Sequence, residues 1–208
     1  MKKVLGIVFL VLLLSTSAHS DNIKDLKIEN ISIGDSALGY FNETELVNGE
    51  LDWFNYSYKE FATSLVSGKG IYDWFKISYK SDDYNFIIEG LVGIVVKKKY
   101  DDGECNEELD AKALNISKLF KNTKQRKKKL YKVIYNPRKV FQEKSQSGKS
   151  TLTSISFDFK DGGKIILSCY DMDKLTNQMD IPIKDINQFD TFRIDIRSKV
   201  LTNYLEKI

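Results

Sequence analysis

The sequence predicts an α+β fold, with one antiparallel sheet of about five to seven strands, two to four helices packed on it, and one structural disulfide. Three observations carry this expectation. Stretches rich in aromatic and β-branched residues outnumber stretches with helical periodicity. Turns of glycine and aspartate, rather than regularly alternating helices, separate those stretches, which favours an antiparallel sheet over a parallel one. Finally, the chain contains two cysteines, Cys105 and Cys169, with a single possible pairing between them.

Met1 to Ser20 has the three parts of an export leader. Lys2 and Lys3 form the charged start, Val4 to Leu14 the apolar run, and Ala18-His19-Ser20 a small-x-small cleavage site. The apolar run is shorter than a membrane span of about 20 residues, and no cysteine near the cleavage site invites lipid attachment. The expected organisation is a signal peptide at 1–20 and a single α+β domain at 21–208, periplasmic or secreted, with no transmembrane segment after cleavage. An oxidising compartment makes a Cys105–Cys169 disulfide the expected state of the two thiols. Closing a loop of about 65 residues stabilises a fold by roughly 4 kcal/mol on the chain-entropy model.

The leader also holds His19, the one histidine of the chain. A mature chain beginning at Asp21 therefore lacks imidazole. That excludes Ser-His-Asp and Cys-His catalysis, histidine-ligated zinc and histidine pH switches, each of which needs the ring. Loss of Lys2 and Lys3 reduces the 32 basic residues to 30, against 29 acidic. Net charge then points to no partner, and only local patches can do so.

Along the mature chain, Asp21 to Ile33 alternates weakly and predicts a first strand or extended arm. Gly34-Asp35-Ser36 is a turn with a helix cap at Asp35 or Ser36, followed by a short helix burying Leu38, Phe41 and Leu46. An aromatic stretch from Leu51 to Phe61 precedes a turn at Ser67-Gly68-Lys69-Gly70. Strands are expected at Ile71 to Tyr79 and Tyr84 to Lys97, joined by a polar turn at Lys80 to Asp83. Gly90 and Gly93 mark a bulge or a close backbone approach in the second of these. After Asp102-Gly103, the residues Cys105, Leu109, Ala113, Ile116 and Phe120 recur at helical steps and share one face. Glu104, Glu107 and Glu108 begin that helix and Lys118 and Lys121 end it, as its dipole favours.

Lys121 to Lys132 looks like a basic linker, and Leu130 to Tyr135 a strand stopped by Asn136-Pro137. Gln142 to Ser150 has loop composition. Leu152 to Phe159, Asp161-Gly162-Gly163 and Ile165 to Tyr170 form a hairpin. A three-residue loop pairs Phe159 with Ile165, Phe157 with Leu167 and Ile155 with Cys169, so that Cys105 reaches Cys169 from a helix lying above. Phe192 to Ile196 is the last strand. Ser198 caps a terminal helix with Val200, Leu201, Tyr204, Leu205 and Ile208 on one side.

Motifs that promise chemistry are weak. Ser147-Gly148-Lys149-Ser150-Thr151 ends like a phosphate-binding loop, but Glu143 stands where the glycine belongs and a strand rather than a helix follows. Asp171-Met172-Asp173 has the D-x-D spacing of haloacid-dehalogenase-type phosphatases, yet Leu175 replaces their Thr or Val and 35 residues are too few for their downstream domain. Asp158, Asp161, Asp171, Asp173 and Asp180 offer oxygen ligands to a cation without the spacing of a calcium loop. Asp101, Asp102, Glu104, Glu107 and Glu108 could supply a pair of carboxylates for glycoside hydrolysis, but nothing distinguishes them from a solvated helix start. Aromatic residues crowd between Trp53 and Tyr79, where core filling competes with stacking on sugars. No cofactor is expected.

The basic cluster is the one local feature with an electrostatic pull. Lys124, Arg126, Lys127, Lys128 and Lys129 place five positive charges in six residues, with Lys121 close by. These six are the candidate anion-binding residues, suited to anionic lipid headgroups or polysaccharide rather than to nucleic acid.

Four features together resemble a group of small, uncharacterised exported bacterial proteins: Ile31-Ser32-Ile33-Gly34-Asp35-Ser36, the Cys105 helix, the Asp161-Gly162 hairpin and the Cys169-Tyr170-Asp171 strand end. The resemblance spans most of the mature chain and implies no activity. The isoleucine-glycine turn before a short helix is also similar to small outer-membrane assembly lipoproteins, from which no residue carries over. The leading expectation is a non-enzymatic binding or assembly domain of the cell envelope, with an envelope protein or polysaccharide as partner. The alternatives are a carboxylate-based hydrolase of envelope polysaccharide and a weak binder of anionic surfaces through residues 121–132.

Overall fold

An eight-stranded antiparallel sheet organises the chain in a computed structural model that describes residues 22–51, 60–97, 104–132, 151–171 and 190–207. Its strands are β3 (Phe61–Ser67), β4 (Trp74–Lys80), β5 (Gly90–Lys97), β6 (Lys124–Gln125), β7 (Lys129–Lys132), β8 (Thr151–Asp158), β9 (Lys164–Asp171) and β10 (Asp190–Arg197). They follow the order β3-β4-β5-β10-β9-β8, and β6 and β7 together form the last row against β8. The last strand in sequence is therefore central in space. A small hairpin of β1 (Lys27–Ile28) and β2 (Ile31–Ser32), two 3-10 turns (Ile23–Asp25 and Ala37–Gly39) and three α-helices complete the described elements: α1 (Glu43–Asn48), α2 (Glu104–Leu119) and α3 (Lys199–Leu205). The predicted α+β class and its disulfide are present.

One face of the sheet carries the core. Cross-strand pairing aligns Ile77, Leu91, Ile196, Ile165 and Phe157 in a single row, all buried. Over this face lies α2, which buries Cys105, Leu109, Ala113 and Ile116, with Phe120 just past its end. Burying Leu109 alone is worth about 2 kcal/mol. Cys105 in the first turn of α2 is bonded to Cys169 of β9, with Cα atoms 5.9 Å apart. Residues 22–51 cover the rest of the face with Ile23, Leu26, Ile28, Ile31, Ile33, Ala37, Phe41 and Leu46.

The hairpin β8–β9 is shifted by two residues from the expected pairing. Phe157 faces Ile165, Ile155 faces Leu167 and Thr153 faces Cys169. A five-residue connection replaces the three-residue loop, closed by the Phe159 N–H on the Gly163 carbonyl and by the Asp161 carboxylate on the Gly163 N–H. Side chains alternate with period two, so a two-residue shift keeps every residue on its expected face. Cys169 thus still meets Cys105.

Several expected elements take other forms. The first strand is broken into a single 3-10 turn at Ile23–Asp25 and the β1–β2 hairpin, whose tip residues Glu29 and Asn30 both adopt positive φ. Ser36 stands at the N-cap of a 3-10 turn, Ala37–Gly39, without a side-chain cap bond, and the α-helix that follows is capped by Asn42. The Asn42 side chain accepts the Glu45 N–H while Glu45 returns the bond to the Asn42 N–H, a capping box that satisfies two otherwise orphan donors. Phe41 and Leu46 are buried as expected, but Leu38 is exposed. Strand β3 was not anticipated. Residues 71–73 belong to a turn closed by the Gly68 N–H on Asp73, and residues 84–89 to a loop in which Phe86 has φ 49°. Gly90 and Gly93 mark close approach and not a bulge, because pairing on both sides of β5 is continuous through them. A Cβ at Gly93 would lie 2.7 Å from the Tyr72 ring, and one at Gly90 2.4 Å from Leu201. Ser198 caps α3 as predicted by accepting the Leu201 N–H, although Val200 points outward.

Candidate functional site

The basic segment is an edge of the sheet, not a linker. Lys124 and Gln125 pair with Asp158 and Phe157 of β8, and Lys129 to Lys132 pair with Ser154 to Thr151. Between these short strands the ladder is interrupted at 126–128, where the Arg126 N–H still reaches the Ser156 carbonyl. Four residue steps from Gln125 to Lys129 stand against three from Phe157 to Ser154, so the interruption carries the one extra residue of a β-bulge. Two surface ion pairs tie the segment to its neighbours. The Arg126 Nε donates to Asp158 Oδ2 at 2.6 Å, and the Lys128 Nζ donates to both Asp110 oxygens at 3.0 Å. The hydrogen bond and charge of Asp158 raise the pKa of Arg126 above its ordinary value. A third tie runs from the Ser117 hydroxyl to Gln125 Oε1 at 3.0 Å.

The structure thereby divides the six predicted anion-binding residues into two groups. Arg126 and Lys128 neutralise Asp158 and Asp110. Lys121, Lys124, Lys127 and Lys129 are exposed and make no ion pair among the described residues. Lys124 and Lys129 lie opposite Asp158 and Ser154, on the sheet face away from α2.

That face carries further cations which the sequence reading missed. Across the register, Lys124 continues through Asp158 and Lys164 to Arg197, and Lys129 through Ser154 and Ser168 to Arg193. Most of them are engaged. Lys164 bonds Glu206 of the segment after α3 at 2.7 Å and holds that carboxyl below the usual range. Arg197 pairs with Asp195. Arg193 lies 3.9 Å over the Tyr170 ring and donates to Thr191 Oγ1 at 3.0 Å. The alternation of Arg193 and Asp195 in the last predicted strand, continued by Arg197 just beyond it, was the available signal.

Other candidate residues serve the fold. Asp158 faces Arg126 and Lys164, so a cation there would meet like charge. The Asp161 carboxylate accepts the N–H groups of Ile23 and Gly163, which fastens the Ile23–Asp25 turn to the β8–β9 connection. Glu104 and Glu107 are exposed in the first turn of α2. Asp171 ends β9 in an exposed position, while Asp101, Asp102, Asp173, Asp180 and residues 147–150 lie outside the described residues. Among the aromatic residues, Phe61, Tyr72, Phe75 and Tyr79 are buried, and Trp53, Phe54, Tyr56 and Tyr58 are outside the described residues. No group of acidic residues or cysteines that could hold a metal ion occurs among the described residues. No family model, curated protein or solved structure matches the chain.

Proposed function

We propose that this protein is an exported, non-enzymatic binding or assembly domain of the cell envelope that meets an anionic surface through the β6–β7 edge. The observation that carries the reading is the division of the basic cluster. Two of its cations are ion-paired with Asp158 and Asp110, while four exposed lysines make no ion pair among the described residues and no acidic residue stands between Lys121 and Lys132. Charges arranged in this way attract phosphate-bearing surfaces and are screened by salt.

The use of the acidic residues favours binding over hydrolysis. Glu29 accepts the N–H groups of Ile71 and Tyr72, Asp35 that of Ser32, Asp73 that of Val96, and Asp83 those of Asn85 and Ile87. These carboxylates fasten turns. Export is supported by the leader pattern, by the buried disulfide, and by Ile23, which is already a core residue three positions after the expected cleavage site. No helix among the described residues is long and apolar enough to cross a membrane.

The test is to express the full chain with its leader and weigh the recovered product, which is expected to begin near Asp21. That product is then titrated with lipopolysaccharide at low and physiological ionic strength. Binding at low salt that weakens on salt addition supports the proposal, and no binding at low salt refutes it.

A further inference from the structure

We infer that the anionic surface met by this edge is a lipid bilayer, with Leu130 and Leu114 entering the headgroup layer beside the lysines; this rests on the anionic-surface reading above. Leu130 is 69% exposed in β7 and Leu114 is 56% exposed on α2. Leu130 pairs across from Thr153, which is buried on the face under α2, so it projects on the helix side of the rim. Lys124 and Lys129 project on the other side. Leu114 lies four residues after Asp110 and three before Ser117, on one stripe of α2. Asp110 is tied to Lys128 and Ser117 to Gln125, so this stripe runs alongside the edge and Leu114 falls between the two ties.

The rim therefore presents two aliphatic side chains on its helix side and Lys124 and Lys129 on the other, so that an approach along the edge meets both. Single exposed leucines are ordinary on protein surfaces. Here two accompany the densest positive charge in the chain, and the combination selects among anionic partners. A soluble polyanion gains from the lysines but leaves both leucines in water. A bilayer satisfies both, because aliphatic groups enter the acyl boundary while lysine ammonium groups reach phosphate oxygens along flexible stems.

The processed protein is tested against three probes at low salt: vesicles with 30 mol% phosphatidylglycerol, purely zwitterionic vesicles, and inorganic polyphosphate. Leu130→Ser and Leu114→Ser are each expected to weaken binding to the anionic vesicles about tenfold, while polyphosphate affinity stays at the wild-type level and reports an intact fold. Leucine variants that bind the anionic vesicles like wild type overturn the bilayer assignment and leave the anionic-surface reading standing. So does a wild-type protein that binds polyphosphate but no vesicle. Equal binding to zwitterionic and anionic vesicles overturns the role of charge, and with it both readings. A wild-type protein that ignores all three probes also overturns both.

Discussion

The two edges of the sheet solve the same problem in opposite ways. An unpaired edge strand is a template for another chain and must be guarded. At β3 the guard is the protein's own backbone: the Leu65 N–H bonds the Gly49 carbonyl, the Leu51 N–H bonds the Thr63 carbonyl, and Glu50 bridges Ser64. Beneath this strap, the Ser64 hydroxyl donates to the Leu46 carbonyl and lies 2.8 Å from the Tyr79 hydroxyl, which reaches Glu50. At β6–β7 the guard is charge and irregularity, with a broken ladder and exposed lysines. The first edge is closed and contributes stability. The second remains exposed and is held by ion pairs.

The comparison can be broken at its strongest points first. Cys169→Ser removes the covalent tie between α2 and the sheet and is expected to lower stability by about 4 kcal/mol, measured by denaturant unfolding. An unchanged midpoint would show that α2 does not depend on the bond. Next comes the closed edge. A Cβ at Gly49 would stand 2.4 Å from the Leu65 carbonyl oxygen and 2.9 Å from that of Glu45, both backbone atoms that cannot step aside. Gly49→Ala is expected to cost about 1–3 kcal/mol. A neutral result would mean that the strap is loosely held.

The Tyr79 network adds a pH dependence. Burial, aided by the charge of Glu50 and opposed by the Ser64 hydrogen bond, pushes the Tyr79 hydroxyl from 10.0 up to about 12. Burial also raises Tyr72, with Glu29 and Glu108 adding to it. The folded state therefore keeps protons that the unfolded chain releases, so stability is intact below pH 10 and falls as pH rises toward 12. Tyr79→Phe is expected to flatten part of that alkaline loss while costing about 1 kcal/mol at neutral pH for the lost hydrogen bonds. A melting curve series from pH 8 to about 11.5 would reveal it. The smallest effect belongs to the open edge, where the exposed Lys128–Asp110 pair is worth about 0.2–1 kcal/mol.

Much of this fold was legible in the sequence because its signals were local. The helical repeat from Cys105 to Phe120, the Ser198 cap and the alternation of β8 and β9 each depend on near neighbours. What failed depended on distant ones. Register in β8–β9 was settled by how Asp161 and Gly163 close a longer turn, not by the spacing of apolar residues. Strand β3, with two serines among its seven residues, is a strand because Gly49 and Leu51 pair with one side of it and β4 with the other. The basic cluster was found by composition, but composition is blind to partners. Asp158 lies 32 residues from Arg126, and Asp110 lies 18 from Lys128. Only their approach in space separates the ion-paired cations from those without an ion pair among the described residues.

That separation is tested most directly by two variants compared in one binding assay at low salt with anionic vesicles, alongside their melting curves. Lys121, Lys124, Lys127 and Lys129 are replaced together by glutamine in the first, and Arg126 and Lys128 in the second. At about 1 kcal/mol per basic residue near an anionic membrane, the first variant is expected to lose binding by at least about 100-fold while melting like wild type. The second is expected to melt lower and to retain most of its binding. Equal losses of binding per charge removed, or a wild-type affinity in the first variant, would contradict the division of this edge into anchoring and contacting cations.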